Sequence, residues 1–178
     1  MTEIERKKQI RRTTEYIFLG KTEGTIEDCI SSQLAEEISD LKEYETNLNP
    51  KYFCLNLGAR LIGMNNNGTV YVEYPVKDTS RNGMGNLQGG LLASLIDNAM
   101  GILVVPAFGP FLTMNLDINY FLPISKEFDT VLIKAKIVKP GKRTKYLRAE
   151  VYRSDGKLAA VAGSNVMMVK NEKENSND

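Results

Sequence analysis

The stretch "GNLQGGLLASLIDNAMG", residues 85 to 101, decides the fold, because it predicts a helix that is apolar on nearly every side. Two glycines, Gly89 and Gly90, open this helix, and a single carboxylate, Asp97, lies in its middle. A helix that is apolar all round must be covered on most of its sides. The rest of the domain is therefore expected to wrap around it.

The segments before and after this helix have the residue pattern of strands. The sequence therefore predicts an α+β fold with this helix at its centre. In most of them apolar and polar residues alternate, as in strands with one buried face. The predicted strands are residues 53–64, 70–76, 112–122, 131–137, 144–153 and 158–169. The helix is predicted over residues 89–105, closed by Pro106 and Gly109. Consecutive hairpins favour an antiparallel sheet, and one curved sheet around the helix is the simplest arrangement.

Two local features of the sheet are specific enough to be tested. "NNNG", at residues 65–68, predicts a hairpin turn between the first two strands. The strand after the helix is predicted to place six apolar residues on one face: Leu112, Met114, Leu116, Ile118, Tyr120 and Leu122.

The chain divides into three parts. Residues 1–50 predict an N-terminal helical arm, too short to enclose a core of its own, whose apolar residues recur at helical spacing: Ile26, Ile30, Leu34 and Ile38. We expect this arm to pack on the sheet or at a subunit interface. Residues 51–170 form the main domain, and residues 171–178 are a polar tail predicted to be disordered.

Composition excludes several classes of function. The chain has 178 residues with 23 Lys and Arg against 22 Asp and Glu, a balance that gives no pull toward nucleic acid or anionic membranes. Two separated cysteines, Cys29 and Cys54, and the absence of histidine argue against a metal site, and no cofactor is expected. No apolar run suggests a membrane helix or a signal peptide, so a cytoplasmic protein is expected.

The glycines and the carboxylate of the central helix are the candidate functional residues. The first N–H groups of a helix have no partner within it, and glycine lets a ligand approach the backbone closely. "QGG" is thus a candidate anion or oxyanion site, or simply a tight turn. Asp97 is surrounded by apolar residues without a nearby cation in sequence, which makes it a candidate base or nucleophile. Alternatively, it bonds a backbone N–H or Asn98.

The spacing of these residues predicts a shared site. Asp97 lies eight residues beyond Gly89, which is about 12 Å along a helix axis. One carbonyl group cannot touch both positions of the same helix. If both act on one substrate, they must come from two chains in an antiparallel two-fold pair. The sequence, interpreted as catalytic, therefore predicts a homodimer.

The segment "N(x5)QGGLLASLIDNAMG", followed by "LTMNLDINYFLPI", resembles the hotdog-fold thioesterases of the phenylacetate-degradation (PaaI-like) type. Their usual pattern is Asn, five residues, HGG, an Asp nine residues after the His, and then a strand that ends in (N)-x-x-(Y/F)-x-x-P. The resemblance covers about residues 53–169. It implies an antiparallel sheet wrapped around the helix, assembly into dimers and often tetramers, and hydrolysis of acyl-CoA thioesters.

The resemblance also implies roles for individual residues. Asp97 matches the acid that serves as nucleophile or general base, and Gly89 matches the glycine whose N–H polarises the thioester carbonyl. The neighbouring Gly90 is assigned to substrate binding. Asn82 matches an Asn that helps to position the water or the carbonyl, and Thr113 matches a Ser or Thr near the Asp.

Gln88 departs from the family pattern, since most relatives have His there. A glutamine amide can donate a hydrogen bond but cannot titrate near neutral pH. This substitution counts against the hotdog dehydratases, which rely on a catalytic His. Three interpretations follow: an acyl-CoA thioesterase, a non-catalytic acyl-thioester binding or regulatory protein, and a structural dimer whose arm recruits a partner.

Overall fold

The computed structural model describes residues 57–65 and 68–169. The predicted helical arm, the polar tail and both cysteines lie outside these ranges. The elements in chain order are β1 (Arg60–Met64), β2 (Val70–Pro75), α1 (Gly89–Phe108), β3 (Phe111–Tyr120), β4 (Thr130–Pro140), β5 (Thr144–Arg153) and β6 (Leu158–Met168). A short 3-10 turn, Asp78–Ser80, lies in the loop between β2 and α1.

The six strands form one antiparallel sheet in the order β1-β2-β4-β5-β6-β3. Helix α1 packs across this sheet and contacts β2, β3, β4 and β5. The core lies between them, and its fully buried members include Ile96 and Val104 from the helix and Val72, Ile133 and Val151 from the strands. The predicted antiparallel sheet around a central helix is confirmed.

Helix α1 ends one turn later than predicted. It continues through Pro106 to Phe108, and Gly109 terminates it with a φ of 86°. The N–H of Gly109 donates to the Val105 carbonyl at 2.9 Å. A proline removes one helical donor without changing the handedness of the backbone, whereas a left-handed glycine reverses the chain direction. Pro106 was therefore the wrong stop signal, and Gly109 the right one.

Strand β3 does not have the single apolar face that was predicted. Its pairing with β6 shifts register between Thr113 and Asn115. Leu112, before the shift, is 56% exposed, whereas Leu116 and Ile118, after it, pack against the core. A bulge inserts one residue into a strand, so the alternation changes face at that point.

The first hairpin is confirmed, with differences at β1 and β2. Strand β1 begins at Arg60 rather than at residue 53, because residues 57–58 form a turn in which Gly58 has a φ of 73°. Strand β2 was predicted to have one buried face, yet Tyr71 and Glu73 on its other face are also buried. Glu73 tolerates burial because Arg60 donates two hydrogen bonds to its Oε1, at 2.7 and 3.0 Å.

Candidate functional site

The loop before α1 is held in place by a buried arginine. The guanidinium of Arg81 donates to five backbone carbonyls, those of Val76, Gly85, Ile124, Ser125 and Phe128. Its Nε lies 3.4 Å from a carboxylate oxygen of Asp78. The planar fork of an arginine can bind several acceptors at once. Arg81 thus joins residues 82–88 to the loop between β3 and β4 and fixes where the helix begins.

The start of α1 leaves backbone donors unused. The N–H groups of Gly89, Gly90 and Leu91 donate to no atom within residues 57–65 and 68–169, and helical bonding from this end begins with Leu92 to the Gln88 carbonyl at 3.0 Å. Gln88 is the N-cap, is exposed, and makes no side-chain capping bond. Such donors, together with the helix dipole, favour a negatively charged oxygen at this end.

Neither glycine at the helix start is required by the fold of the described chain. Neither Gly89 nor Gly90 has a positive φ. A Cβ at Gly90 would meet nothing within 4 Å, and a Cβ at Gly89 would make only ordinary contact with the ring of Tyr120, at 3.6 Å. Glycine weakens a helix relative to alanine. The bare backbone at these two positions is therefore suited to close approach by a ligand or a second chain.

Asp97 is half-buried and its partner is Thr113. The Thr113 hydroxyl donates to Asp97 Oδ1 at 2.9 Å across the gap between α1 and β3. Within the described ranges no Lys or Arg pairs with Asp97, and nothing donates to its second oxygen. The alternative bond with Asn98 is not formed; the Oδ1 of Asn98 instead accepts from the buried Tyr74 hydroxyl at 2.8 Å. Asp97 is thus an oriented carboxylate with one oxygen available.

Asn82 is engaged within its own loop. Its Oδ1 accepts the N–H groups of Met84 at 3.0 Å and Asn86 at 3.1 Å. This arrangement shapes the turn that leads to Gln88. The structure therefore brings Asp97 and Thr113 together in the middle of the helix. It places Gln88, Gly89 and Gly90 at the helix start, and Asn82 in the loop that leads to them. It does not bring the two groups together within one chain.

A cavity of about 240 Å³, open to solvent, lies beside the helix start. It is lined by Leu87, Gly89, Leu92 and residues 120–124. The hydroxyl of Tyr120 donates to the Gly89 carbonyl at 2.9 Å. Burial in this region raises the pKa of the Tyr120 phenol. Sequence reasoning placed Tyr120 on an apolar strand face, and although Tyr120 fills the (Y/F) position of the family signature it was given no role.

Two other kinds of site find no support in the part of the chain that the structure describes. His, Cys, Asp and Glu form no group of three that could hold a metal ion there. Within the same residues, no helix has the length and apolar character needed to cross a membrane.

Proteins similar to this chain are thioesterases by family or by name. Residues 84–160 match the model of the thioesterase superfamily. Human acyl-coenzyme A thioesterase 13 is 31% identical over 96 residues, which are 52% of this chain and 68% of that protein.

Solved structures share the fold. The Escherichia coli PaaI protein from the phenylacetic acid degradation operon superposes with a TM-score of 0.60 at 22% identity, covering 66% of this chain and 84% of the other. A hypothetical thioesterase from Streptococcus pneumoniae TIGR4, solved with coenzyme A, superposes with a TM-score of 0.58 at 24% identity, covering 64% and 87%.

Proposed function

The chain belongs to the thioesterase superfamily, with the hotdog fold, and is a thioester hydrolase; on that premise we propose that it hydrolyses an acyl-coenzyme A thioester to a free acid and coenzyme A. The human relative is named as a thioesterase of acyl-coenzyme A, and a solved thioesterase of the same fold contains coenzyme A. The observation that carries the proposal is Asp97, a carboxylate oriented by Thr113 and free of any described cation.

Asp97 supplies the base or the nucleophile of the reaction. As a base, it takes a proton from a water whose oxygen bonds to the thioester carbon. As a nucleophile, it bonds to that carbon itself, and water then hydrolyses the resulting anhydride. In either route the C–S bond breaks and the thiolate of coenzyme A leaves. The hydroxyl of Thr113 fixes one carboxylate oxygen and leaves the other available to react.

The start of α1 stabilises the negative charge that develops on the carbonyl oxygen. The N–H of Gly89 is the principal donor, and the bare backbone of Gly90 admits the thioester. Preorganised donors of this kind contribute a large share of catalysis in acyl transfer. The exposed amide of Gln88 adds a neutral donor at the same end.

The complete site requires two copies of the chain. Strand β3 is ten residues long, lies at one edge of the sheet, and pairs on one side only within the described chain. A long unpaired edge is a template for pairing with another chain. The helix also presents an accessible stripe around Asp97, formed by Gly90, Ser94, Gly101 and Val105. These surfaces support an antiparallel homodimer, or a dimer of dimers, in which Gly89 of one copy faces Asp97 of the other.

Release of free thiol from a panel of acyl-coenzyme A compounds of different chain length tests this function. We expect turnover by the wild type, and a loss of about 10² to 10⁴-fold in Asp97→Asn, which keeps the shape and removes the base. The matched control is Asp129→Asn, an exposed aspartate in the loop before β4. Equal activity in wild type and Asp97→Asn would refute the assigned role.

The alternative is a non-catalytic acyl-thioester binding or regulatory protein, and Gln88 is the observation that favours it. The side chain is exposed at the helix start and carries no group that titrates near neutral pH. This alternative predicts that acyl-coenzyme A raises the melting temperature, as ligands of the native state do, without release of thiol.

A further inference from the structure

The end of strand β3 reaches the start of helix α1 through one side chain. The Tyr120 hydroxyl donates to the Gly89 carbonyl at 2.9 Å, although the two residues are 31 positions apart in sequence. The ring lies over the bare Cα of Gly89, with the nearest ring carbon 3.6 Å from where a Cβ would be. A carbonyl oxygen has two lone pairs, so it can accept this bond beside its helical one.

The bond acts on a peptide group rather than on a single atom. The carbonyl of Gly89 and the N–H of Gly90 belong to one planar peptide unit. A donor on the carbonyl therefore fixes the orientation of that N–H, and it also polarises the unit and strengthens the N–H as a donor. The N–H of Gly90 has no acceptor within the described ranges, and the space beside its Cα is open.

Tyr120 is half exposed, and one side of it borders apolar residues. Apolar residues of the cavity, Leu87, Leu92 and Ile124 among them, lie at the same end of the helix. Burial raises the pKa of the phenol above its usual value. A phenol of ordinary pKa is already protonated at neutral pH, so the hydroxyl of Tyr120 is available as a donor there.

We infer that Tyr120 is a positioning residue that aims the Gly90 N–H as a second oxyanion donor beside the Gly89 N–H. This inference rests on the proposed thioesterase function of the same site. Tyr120 touches no reacting atom in this arrangement and acts only through the Gly89–Gly90 peptide. Its loss should therefore lower the rate of the chemical step and leave the binding of substrate unchanged.

Tyr120→Phe removes the hydroxyl and keeps the ring, and Tyr146→Phe on the outer face of the sheet is the matched control. We expect kcat to fall about three- to tenfold in Tyr120→Phe, the range for loss of one neutral hydrogen bond. We expect KM, the affinity for a non-hydrolysable acyl-coenzyme A analogue and the melting temperature to stay close to wild type. A fall in melting temperature together with a raised KM would show a structural role and overturn the inference.

A spectroscopic measurement tests the contact without relying on activity. Gly89–Gly90 is the only Gly-Gly pair in the sequence. In protein labelled with [1-¹³C,¹⁵N]-glycine, Gly90 is therefore the only residue whose ¹⁵N-labelled amide is bonded to a ¹³C-labelled carbonyl. We expect the Gly89 carbonyl and Gly90 amide resonances to move upfield in Tyr120→Phe, because the polarising bond is lost while the ring remains. Tyr146→Phe should leave them in place.

The two measurements separate the possible failures. Unchanged resonances in Tyr120→Phe would overturn the inference even if the wild type is an active thioesterase. Shifted resonances with an unchanged kcat would refute the role in catalysis, because Tyr120 would then contact the Gly89–Gly90 peptide without affecting the rate. If the wild type releases no thiol from any compound of the panel, the proposed substrate class is refuted. The resonances would still show whether Tyr120 contacts the Gly89–Gly90 peptide.

Discussion

Replacing Thr113 by valine isolates the contact that orients Asp97. Valine has nearly the shape of threonine and lacks only the hydroxyl, which donates to Asp97 Oδ1 at 2.9 Å. A hydrogen bond to a charged group contributes about 1.5–3 kcal/mol when buried. Both groups are partly exposed, so we take a value at or below the lower limit of this range, about 1–1.5 kcal/mol. At 1.36 kcal/mol for each factor of ten, the rate should fall about five- to thirteenfold.

The assay is single-turnover release of coenzyme A thiol, which reports the chemical step rather than product release. Thr113→Ser is the matched variant, since it keeps the hydroxyl and loses only a methyl group. We expect Thr113→Ser to stay within about twofold of wild type, a change below 0.5 kcal/mol. An unchanged rate in Thr113→Val, or an equal loss in both variants, would refute the assignment of this hydroxyl to Asp97.

Three further changes probe the loop, the hairpin and the helix cap. Arg81→Lys should destabilise the protein by about 2–4 kcal/mol, because a single ammonium group cannot donate to all five carbonyls that the guanidinium binds. Thermal unfolding measures this loss, and Arg148→Lys, at an exposed position, is the control. Gly141→Ala would drive its Cβ into a backbone carbonyl of the β4–β5 turn and should lower stability by about 1–3 kcal/mol, whereas Gly83→Ala enters open space. Gln88→Ala should slow thiol release about three- to tenfold while Gln88→His keeps or raises it, and no change with Ala would mean that the amide faces elsewhere.

The architecture could be predicted because its signals are local and repeated. The run of apolar residues after Gly89 identified the central helix, and hairpin turns such as the one ending at Gly68 identified antiparallel pairing. Strand β5 was predicted with the observed boundaries, residues 144–153. The bulge after Thr113 was not predictable, because its cause is the pairing with β6 rather than any residue type within β3.

Site residues could be predicted from the sequence only where the residue type itself is unusual for its position. An aspartate in an apolar helix and two glycines at its start are unusual in sequence, so Asp97, Gly89 and Gly90 were found. Arg81 and Tyr120 were missed because their roles depend on contacts across 40 or more and about 30 residues of chain. An arginine in a loop and a tyrosine in a strand have many ordinary explanations until those distant partners are known.

The most direct test of the account is complementation between two inactive subunits. Gly89→Val blocks the start of α1, and Asp97→Asn removes the base. The homodimer of either variant therefore has two inactive sites. In a mixed dimer one shared site carries both changes and the other carries neither. The account predicts that a purified mixed dimer recovers about half of the wild-type rate of thiol release. A mixed dimer that forms but stays inactive would contradict a site built from Asp97 of one copy and Gly89 of the other.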